Sequence, residues 1–172
     1  MCALPAPREG SAVAIDVLVA ADGWSALPDA EGVARRAALA ALAACADAVP
    51  PACELAVTLT DDAEIRVLNR EWRGLDKATN VLSFPQAALP EGVDAPQPLG
   101  DVIVALETLA AEAAAEGKAP AHHLAHLVVH GTLHLLGHDH IDDDQAEEME
   151  ALERRILAGL GIDDPYRLPQ DG

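Results

Sequence analysis

The amino-acid sequence predicts an α+β fold, with a mixed β-sheet of about four strands covered by four to five helices. The chain has 172 residues, the length of one domain with a substantial core, so we expect a single domain over residues 1–172. Strand-like and helix-like stretches alternate at first, then two strands follow one another and three helices close the chain. That order, β-α-β-α-β-β-α-α-α, predicts a mixed sheet covered by helices.

Four stretches have the short, apolar and often β-branched composition of strands. They are residues 11–20, 53–60, 81–84 and 100–106. The third is short because Pro85 ends it. The segments predicted to be loops are residues 73–80 and 86–99, the second of which contains three prolines and one glycine.

Helical periodicity and end signals predict the helices. Asp61, with Glu64 three residues later, and Asp142, with Gln145 three residues later, are N-cap candidates, and Gly117 is a stop signal. The predicted helices are residues 30–48, about 61–70, 107–117, from Pro120 to the glycine at position 137, and 142 to about 160.

The charge distribution limits the classes of partner. The formal net charge is −18, which argues against a general binder of polyanions, so any contact with nucleic acid must be local. Within residues 66–77, four of the 11 Lys and Arg residues are opposed by only Glu71 and Asp76. The four cations are Arg66, Arg70, Arg73 and Lys77. For the first two, solvated helix charges are an equally good interpretation.

Nothing in the sequence indicates a membrane or secreted protein. No apolar run approaches the roughly 20 residues that span a bilayer, and the first residues lack the basic and apolar regions of a secretory signal. Cys2, Cys45 and Cys53 are odd in number and lack metal-ligand spacing. We therefore expect reduced thiols in a cytoplasmic protein.

All seven histidines lie within residues 122–140. Apolar residues recur between them at helical spacing, which predicts a central helix with a partly buried face. Each step of four residues turns the side chain by roughly 40°, so neighbours can share one metal ion but the whole series cannot. The five that step by four are His122, His126, His130, His134 and His138.

Gly137 indicates which histidines are candidate ligands. A glycine there permits the left-handed residue that ends a helix, so the chain can fold back. His130 and His134 from the end of the helix and His140 from the following loop then form a three-nitrogen site with an open fourth position. This arrangement suits one catalytic zinc ion per chain, and its spacing is that of the metzincins.

The alternative is a histidine-rich helix whose imidazoles are surface or satisfied core groups. We adopt it for His122 and His123, and both interpretations stay open for His126 and His138. The residue after the first candidate ligand is Gly131, where zinc peptidases carry the glutamate that serves as general base. The pattern therefore indicates a metallohydrolase that is not an ordinary zinc peptidase.

Three blocks of the sequence resemble the YbeY family, which are metal-dependent endoribonucleases of ribosomal RNA maturation. They are H-G-T-L-H-L-L-G-H-D-H at residues 130–140, N-R-E-W-R-G with T-N-V-L-S-F-P at residues 69–74 and 79–85, and L-G-D-V-I-V at residues 99–104. The similarity runs from about residue 53 to Tyr166. His138 stands where the family has tyrosine, which puts the local hydrogen bonding in doubt.

The resemblance implies zinc bound by His130, His134 and His140, with Arg73 and His130 as catalytic residues. It also implies a single-strand-specific endoribonuclease that acts in processing of the 16S ribosomal RNA 3′ end and in ribosome quality control. The implied partners are single-stranded or ribosomal RNA and the small ribosomal subunit or its proteins. No membrane partner is implied.

In this mechanism zinc activates a water molecule, or assists attack by the ribose 2′-hydroxyl, and Arg73 holds the phosphate. The alternative for Arg73 is a structural salt bridge. Asp139 is either an acceptor for a ligand imidazole or a capping residue, and we assign it no catalytic role.

Two other functions compete with the nuclease. A zinc peptidase is favoured by the ligand spacing and disfavoured by Gly131. A metal-stabilised ribosome assembly factor, with a mainly binding role, is favoured by the acidic surface, which suits basic ribosomal proteins. A simple histidine metal store would leave the Gly137 turn without a purpose.

Overall fold

The computed structural model describes residues 12–139 and 141–166. Four strands and five α-helices occupy these residues, in the predicted order. The strands are β1 (Ala12–Val19), β2 (Ala52–Thr60), β3 (Val81–Pro85) and β4 (Gln97–Ala105). The helices are α1 (Ala30–Ala44), α2 (Asp62–Arg73), α3 (Leu106–Glu116), α4 (Pro120–Leu135) and α5 (Asp143–Gly159). Two short 3-10 helices flank α1, at Asp22–Ala26 and Ala46–Ala48.

The four strands form one mixed sheet, in the order β1-β2-β4-β3. β1 pairs with β2 and β2 with β4 in parallel, whereas β3 pairs with β4 in the antiparallel direction. The predicted fold class, a mixed sheet covered by helices, is therefore confirmed. β3 is an edge strand, so its outer side borders the surface on which the site lies.

Two apolar layers cover the two faces of the sheet. The larger core packs α1, α4 and α5 against one face, and alternate residues of β4, such as Val102 and Val104, point into it. The smaller cluster on the other face joins Ile65 of α2 to Leu82 of β3. Because the core side of α1 is largely alanine, with Ala34, Ala37, Ala38 and Ala41 fully buried, α1 and α4 can approach closely.

Most predicted ends of elements agree with the structure. Asp61 and Asp142 cap their helices by accepting hydrogen bonds from the Glu64 and Gln145 backbone N–H groups, at 2.9 and 2.8 Å. Gly117 has a positive φ of 66°, as expected of a helix stop.

Three predicted bounds are wrong by three residues or more. β4 begins at Gln97 rather than at residue 100. Its pairing with β2 continues past the register shift between Glu54 and Leu55, so Gln97 and Pro98 also belong to the strand. α1 ends at Ala44, and a separate 3-10 turn follows. α2 continues to Arg73, so this arginine ends a helix instead of starting a loop.

Candidate metal centre and cleft

The last turns of α4 bring two imidazoles together. The Nε2 atoms of His130 and His134 lie 3.0 Å apart, and the two rings are inclined by 77°. Gly137, with φ of 96°, ends the helix after them. Its N–H donates to the His134 carbonyl, and the next N–H donates to the Leu133 carbonyl, in the Schellman pattern that reverses the chain.

This geometry fits two ligands of one tetrahedral metal ion. Zinc–nitrogen bonds of about 2.0–2.1 Å at a tetrahedral angle place two ligand nitrogens roughly 3.3 Å apart, so a small opening of the pair would admit zinc. The third expected ligand, His140, lies outside the described residues. Within residues 12–139 and 141–166, no group of three or more His, Cys, Asp or Glu side chains is placed to hold a metal ion.

A buried carboxylate orients the first imidazole. Glu153 of α5 is fully buried, and its Oε1 lies 2.5 Å from His130 Nδ1. His126 Nε2 lies 3.3 Å from Oε2, and the Tyr166 hydroxyl donates to the same oxygen. An ionised carboxylate only accepts, so His130 donates from Nδ1 and leaves the Nε2 lone pair toward His134, as a metal ligand requires.

The three donors also keep Glu153 ionised. Burial alone would raise the pKa of this carboxyl, but the hydrogen bonds from His126, His130 and Tyr166 outweigh burial and lower the pKa to about 2. Burial and the neighbouring Glu153 carboxylate raise the pKa of Tyr166, so the phenol keeps its proton. The carboxylate next to His130 is therefore negative at neutral pH.

Glu153 was not predicted as a site residue, although the sequence contains a signal for it. Met149, Ile156 and Leu157 form the buried face of α5, and Glu153 lies on that face between them. A charged residue on the apolar face of a helix needs a partner when buried. The nearby histidines of α4 were the available partners.

The Nε2 pair opens into a cleft of about 550 Å³. α4 and the turn after it form one wall. The other wall comes from the end of α2, the loop after it and β3. The lining residues are Arg73, Thr79, Asn80, Val81, Leu82, Ser83, Pro85, His130, His134, Gly137, His138 and Asp139.

Arg73 lies across this cleft from the imidazoles. Its side chain is exposed at the end of α2, where Gly74, with φ of 72°, terminates the helix. No carboxylate in the described part of the chain forms an ion pair with Arg73. Arg66, by contrast, pairs with Asp76 at 2.9 Å. The salt bridge that was the alternative for Arg73 has no support among the described residues.

Gly131 is required where α4 crosses the sheet. A Cβ atom at this position would lie 2.7 Å from Val102 Cγ1 and 3.0 Å from Ser83 Oγ. The Ser83 hydroxyl donates to the Gly131 carbonyl at 3.0 Å, which ties the helix to β3. Since the position has no room for a side chain, it cannot hold the general base of a zinc peptidase.

The remaining histidines have other surroundings. His122 is exposed, and buried His123 pairs through Nε2 with Glu112 at 3.0 Å. These positions agree with surface and core roles. His138, in the position of the family tyrosine, lies 3.9 Å from the Cys45 sulfur. It lines the cleft and provides none of the contacts that orient His130 in the described residues.

Comparison with known proteins agrees with this arrangement. The family described as Endoribonuclease YbeY matches residues 29–161. The chain belongs to the YbeY family. The match begins before residue 53, where we expected the similarity to start, and so includes α1.

Curated members of the YbeY family are highly similar to the chain. Endoribonuclease YbeY of Azorhizobium caulinodans is 73% identical over 158 residues, covering 92% of this chain and 99% of that protein. Endoribonuclease YbeY of Bradyrhizobium diazoefficiens is 58% identical over 155 residues, covering 88% and 84%.

A solved structure supports the fold. The solution structure of a Thermotoga maritima protein superimposes with a TM-score of 0.54 at 23% identity, covering 89% of this chain and 99% of that one. In the described residues of our YbeY-family chain, every helix is too short or too polar to cross a lipid bilayer.

Proposed function

We propose that this protein is a zinc-dependent endoribonuclease that cuts single-stranded RNA. The observation that carries the proposal is the His130–His134 pair, whose Nε2 atoms are 3.0 Å apart and open into a cleft with Arg73 on its other wall. Family membership supports ribonuclease chemistry for this cleft, since the matched relatives are named endoribonucleases.

His130 and His134 would hold the zinc ion together with His140. When bound, zinc supplies a Lewis acid for a phosphoryl oxygen and lowers the pKa of a coordinated water. The other tasks belong to the chain. Glu153 holds the His130 ring with its Nε2 lone pair outward, and Arg73 binds the phosphate and stabilises the charge that develops on it.

We propose ribosomal RNA as the substrate, with the 3′ end of 16S RNA as the processing target and the small subunit as partner. We also propose a role in ribosome quality control, and a cytoplasmic location for both activities. The net charge of −18 supports a substrate presented on a ribosomal particle over naked RNA, because basic ribosomal proteins would attract this surface.

The decisive experiment compares the wild-type protein with His134→Ala on single-stranded ribosomal RNA, each with one equivalent of zinc. We expect cleavage by the wild type alone. Equal cleavage by both proteins would overturn the site assignment. Zinc bound at one ion per chain without cleavage would overturn the nuclease and favour the assembly factor, which binds subunits without cutting RNA.

The zinc peptidase has no comparable support. The wild-type protein should leave unstructured peptides intact under the conditions in which it cuts RNA, because Gly131 leaves no space for the glutamate base. Zinc-dependent cleavage of casein that disappears in His134→Ala would contradict this expectation.

A further inference from the structure

We propose that Trp72 is a stacking platform for an unpaired base of the RNA that enters the cleft. This inference rests on the proposed function, because it names how the same cleft receives its substrate. Trp72 precedes Arg73 at the end of α2 and is 71% exposed. Its ring lies 5.9 Å from that of Phe84. Neither aromatic side chain lines the cleft itself, but each is the chain neighbour of a residue that does, Trp72 of Arg73 and Phe84 of Ser83.

The two tryptophans of the chain have opposite environments. Trp24 is 2% exposed, and its indole N–H donates to the Thr60 carbonyl at 2.8 Å, so it has a structural role. Trp72 contributes little buried surface. In a chain with only four aromatic residues, a mostly exposed tryptophan beside a catalytic arginine indicates a binding role rather than a packing role.

The charge around Trp72 favours nucleic acid as its partner. Residues 66–77 contain four cations and two carboxylates, a net charge of +2 on a protein whose net charge is −18. The Arg66–Asp76 ion pair cancels one charge of each sign, which leaves Arg70, Arg73 and Lys77 against Glu71. A phosphate at Arg73 would therefore lie in a locally positive zone, and the adjoining base is the one that we expect to stack on the neighbouring Trp72 ring.

Stacking also explains a preference for single strands. Only an unpaired base can leave its neighbours and stack on a side chain, whereas the bases of a duplex are already stacked on each other. Every base has a π-face, so a tryptophan platform tolerates sequence variation. Phe84, which is partly buried, is the aromatic neighbour of Trp72, and the planes of the two rings are inclined by 57°.

The test measures the affinity for a labelled single-stranded RNA in a His134→Ala background, in which the RNA stays intact. We expect Trp72→Ala to weaken binding roughly 5- to 150-fold, which corresponds to the loss of about 1–3 kcal/mol for one base stacked on an aromatic ring. Trp72→Phe should keep most of the affinity. Val67→Ala, which changes another exposed apolar residue of α2, should keep all of it.

An abasic strand of the same length separates stacking from charge. The abasic strand should bind equally well to the protein that retains Trp72 and to Trp72→Ala, because this strand has no base to stack on the ring. RNA binding should quench the tryptophan fluorescence, and the quenching should disappear in Trp72→Phe, which retains only buried Trp24. Equal affinities of Trp72→Ala and Val67→Ala for the intact strand, or unchanged quenching in Trp72→Phe, would overturn the platform.

The outcomes also separate this inference from the proposed function. If the wild type cleaves RNA and Trp72→Ala cleaves and binds it equally well, the stacking platform is overturned. The nuclease activity is then still supported. Binding that depends on Trp72 in a protein that never cleaves would support the platform and overturn the nuclease. Loss of binding to ribosomal proteins, with unchanged RNA affinity, would assign Trp72 to a protein contact and overturn the platform.

Discussion

The two walls of the cleft differ in how their functional side chains are held. On the wall formed by α4, the His130 imidazole is held by the fully buried carboxylate of Glu153, which lies on α5. That carboxylate has two further donors. On the α2–β3 wall, Arg73 is exposed at the end of a helix, and the exposed Trp72 precedes it in the chain. One wall has a buried, hydrogen-bonded support, whereas the other presents exposed side chains.

This difference matches the demands of the two proposed ligands, a metal ion and an RNA strand. A metal ion tolerates only small errors in the position of its ligands, so the imidazoles need a rigid support. A flexible RNA strand differs from one substrate to the next, and exposed side chains can adjust to it. Substitutions on the first wall should therefore change metal affinity, and substitutions on the second should change RNA binding and turnover.

The largest effect should come from removing a ligand on the fixed wall. His134→Ala should bind zinc weakly and should lower RNA cleavage to the level of the zinc-free protein, because two imidazoles must meet at one ion. Zinc content after dialysis and the single-turnover cleavage rate measure the two effects. His122→Ala, at an exposed histidine of the same helix, is the control and should match the wild type.

Arg73 tests whether the exposed wall acts on the substrate alone. Arg73→Ala should lower the cleavage rate by roughly 10²- to 10³-fold, the usual effect of losing one donor to a developing charge. Zinc affinity should not change, since Arg73 belongs to the other wall. Arg36→Ala, at an exposed arginine of α1 that does not line the cleft, is the control, and a loss of zinc together with activity in Arg73→Ala would contradict the separation of the two walls.

Glu153 tests the support of the fixed wall. Glu153→Gln keeps the shape of the side chain but removes its charge, and we expect zinc affinity to fall about 10- to 100-fold, as for other partners of a ligand histidine. Competition with a chromophoric chelator measures this change.

Tyr166→Phe provides the comparison for Glu153. It removes one donor from Oε2 and leaves the 2.5 Å contact between Oε1 and His130 in place, so its effect should be smaller. If Glu153→Gln binds zinc as tightly as the wild type, Glu153 serves only the stability of the fold.

The smallest effect concerns stability. Trp72→Ala and Arg73→Ala should each change the free energy of unfolding by no more than about 0.5 kcal/mol, because both side chains are exposed. Leu133→Ala, at a fully buried position of α4, should cost about 2–5 kcal/mol. Urea unfolding of the zinc-free proteins measures all three, and a large loss for Trp72→Ala would show that it packs as a core residue.

The order of elements was predictable because its signals are local. Periodicity marks the helices, and the Asp61 and Asp142 caps act within three residues. The start of β4 was not predictable in this way, since pairing with β2 decides it. The partner of His130 was missed for the same reason: Glu153 lies 23 positions further along the chain, and only the packing of α5 on α4 brings the two together.

The candidate site shows a similar division. The spacing of the α4 histidines was enough to predict that two of them meet, and the structure brings His130 and His134 together. Arg73 was selected by resemblance, and its exposure at the end of α2 became visible only in three dimensions. Exposure also distinguishes Trp72 from Trp24, which the sequence alone does not do.

The contact at Gly131 has a consequence for the evolution of related hydrolases. A zinc peptidase and this protein differ at the residue after the first proposed ligand, yet a single change to glutamate here would force α4 away from Val102 and Ser83. Intermediate sequences would lose stability before gaining a base. A glutamate base at position 131 would therefore need several coordinated changes where α4 packs on the sheet. Directed evolution by single substitutions should fail to produce protease activity in this fold.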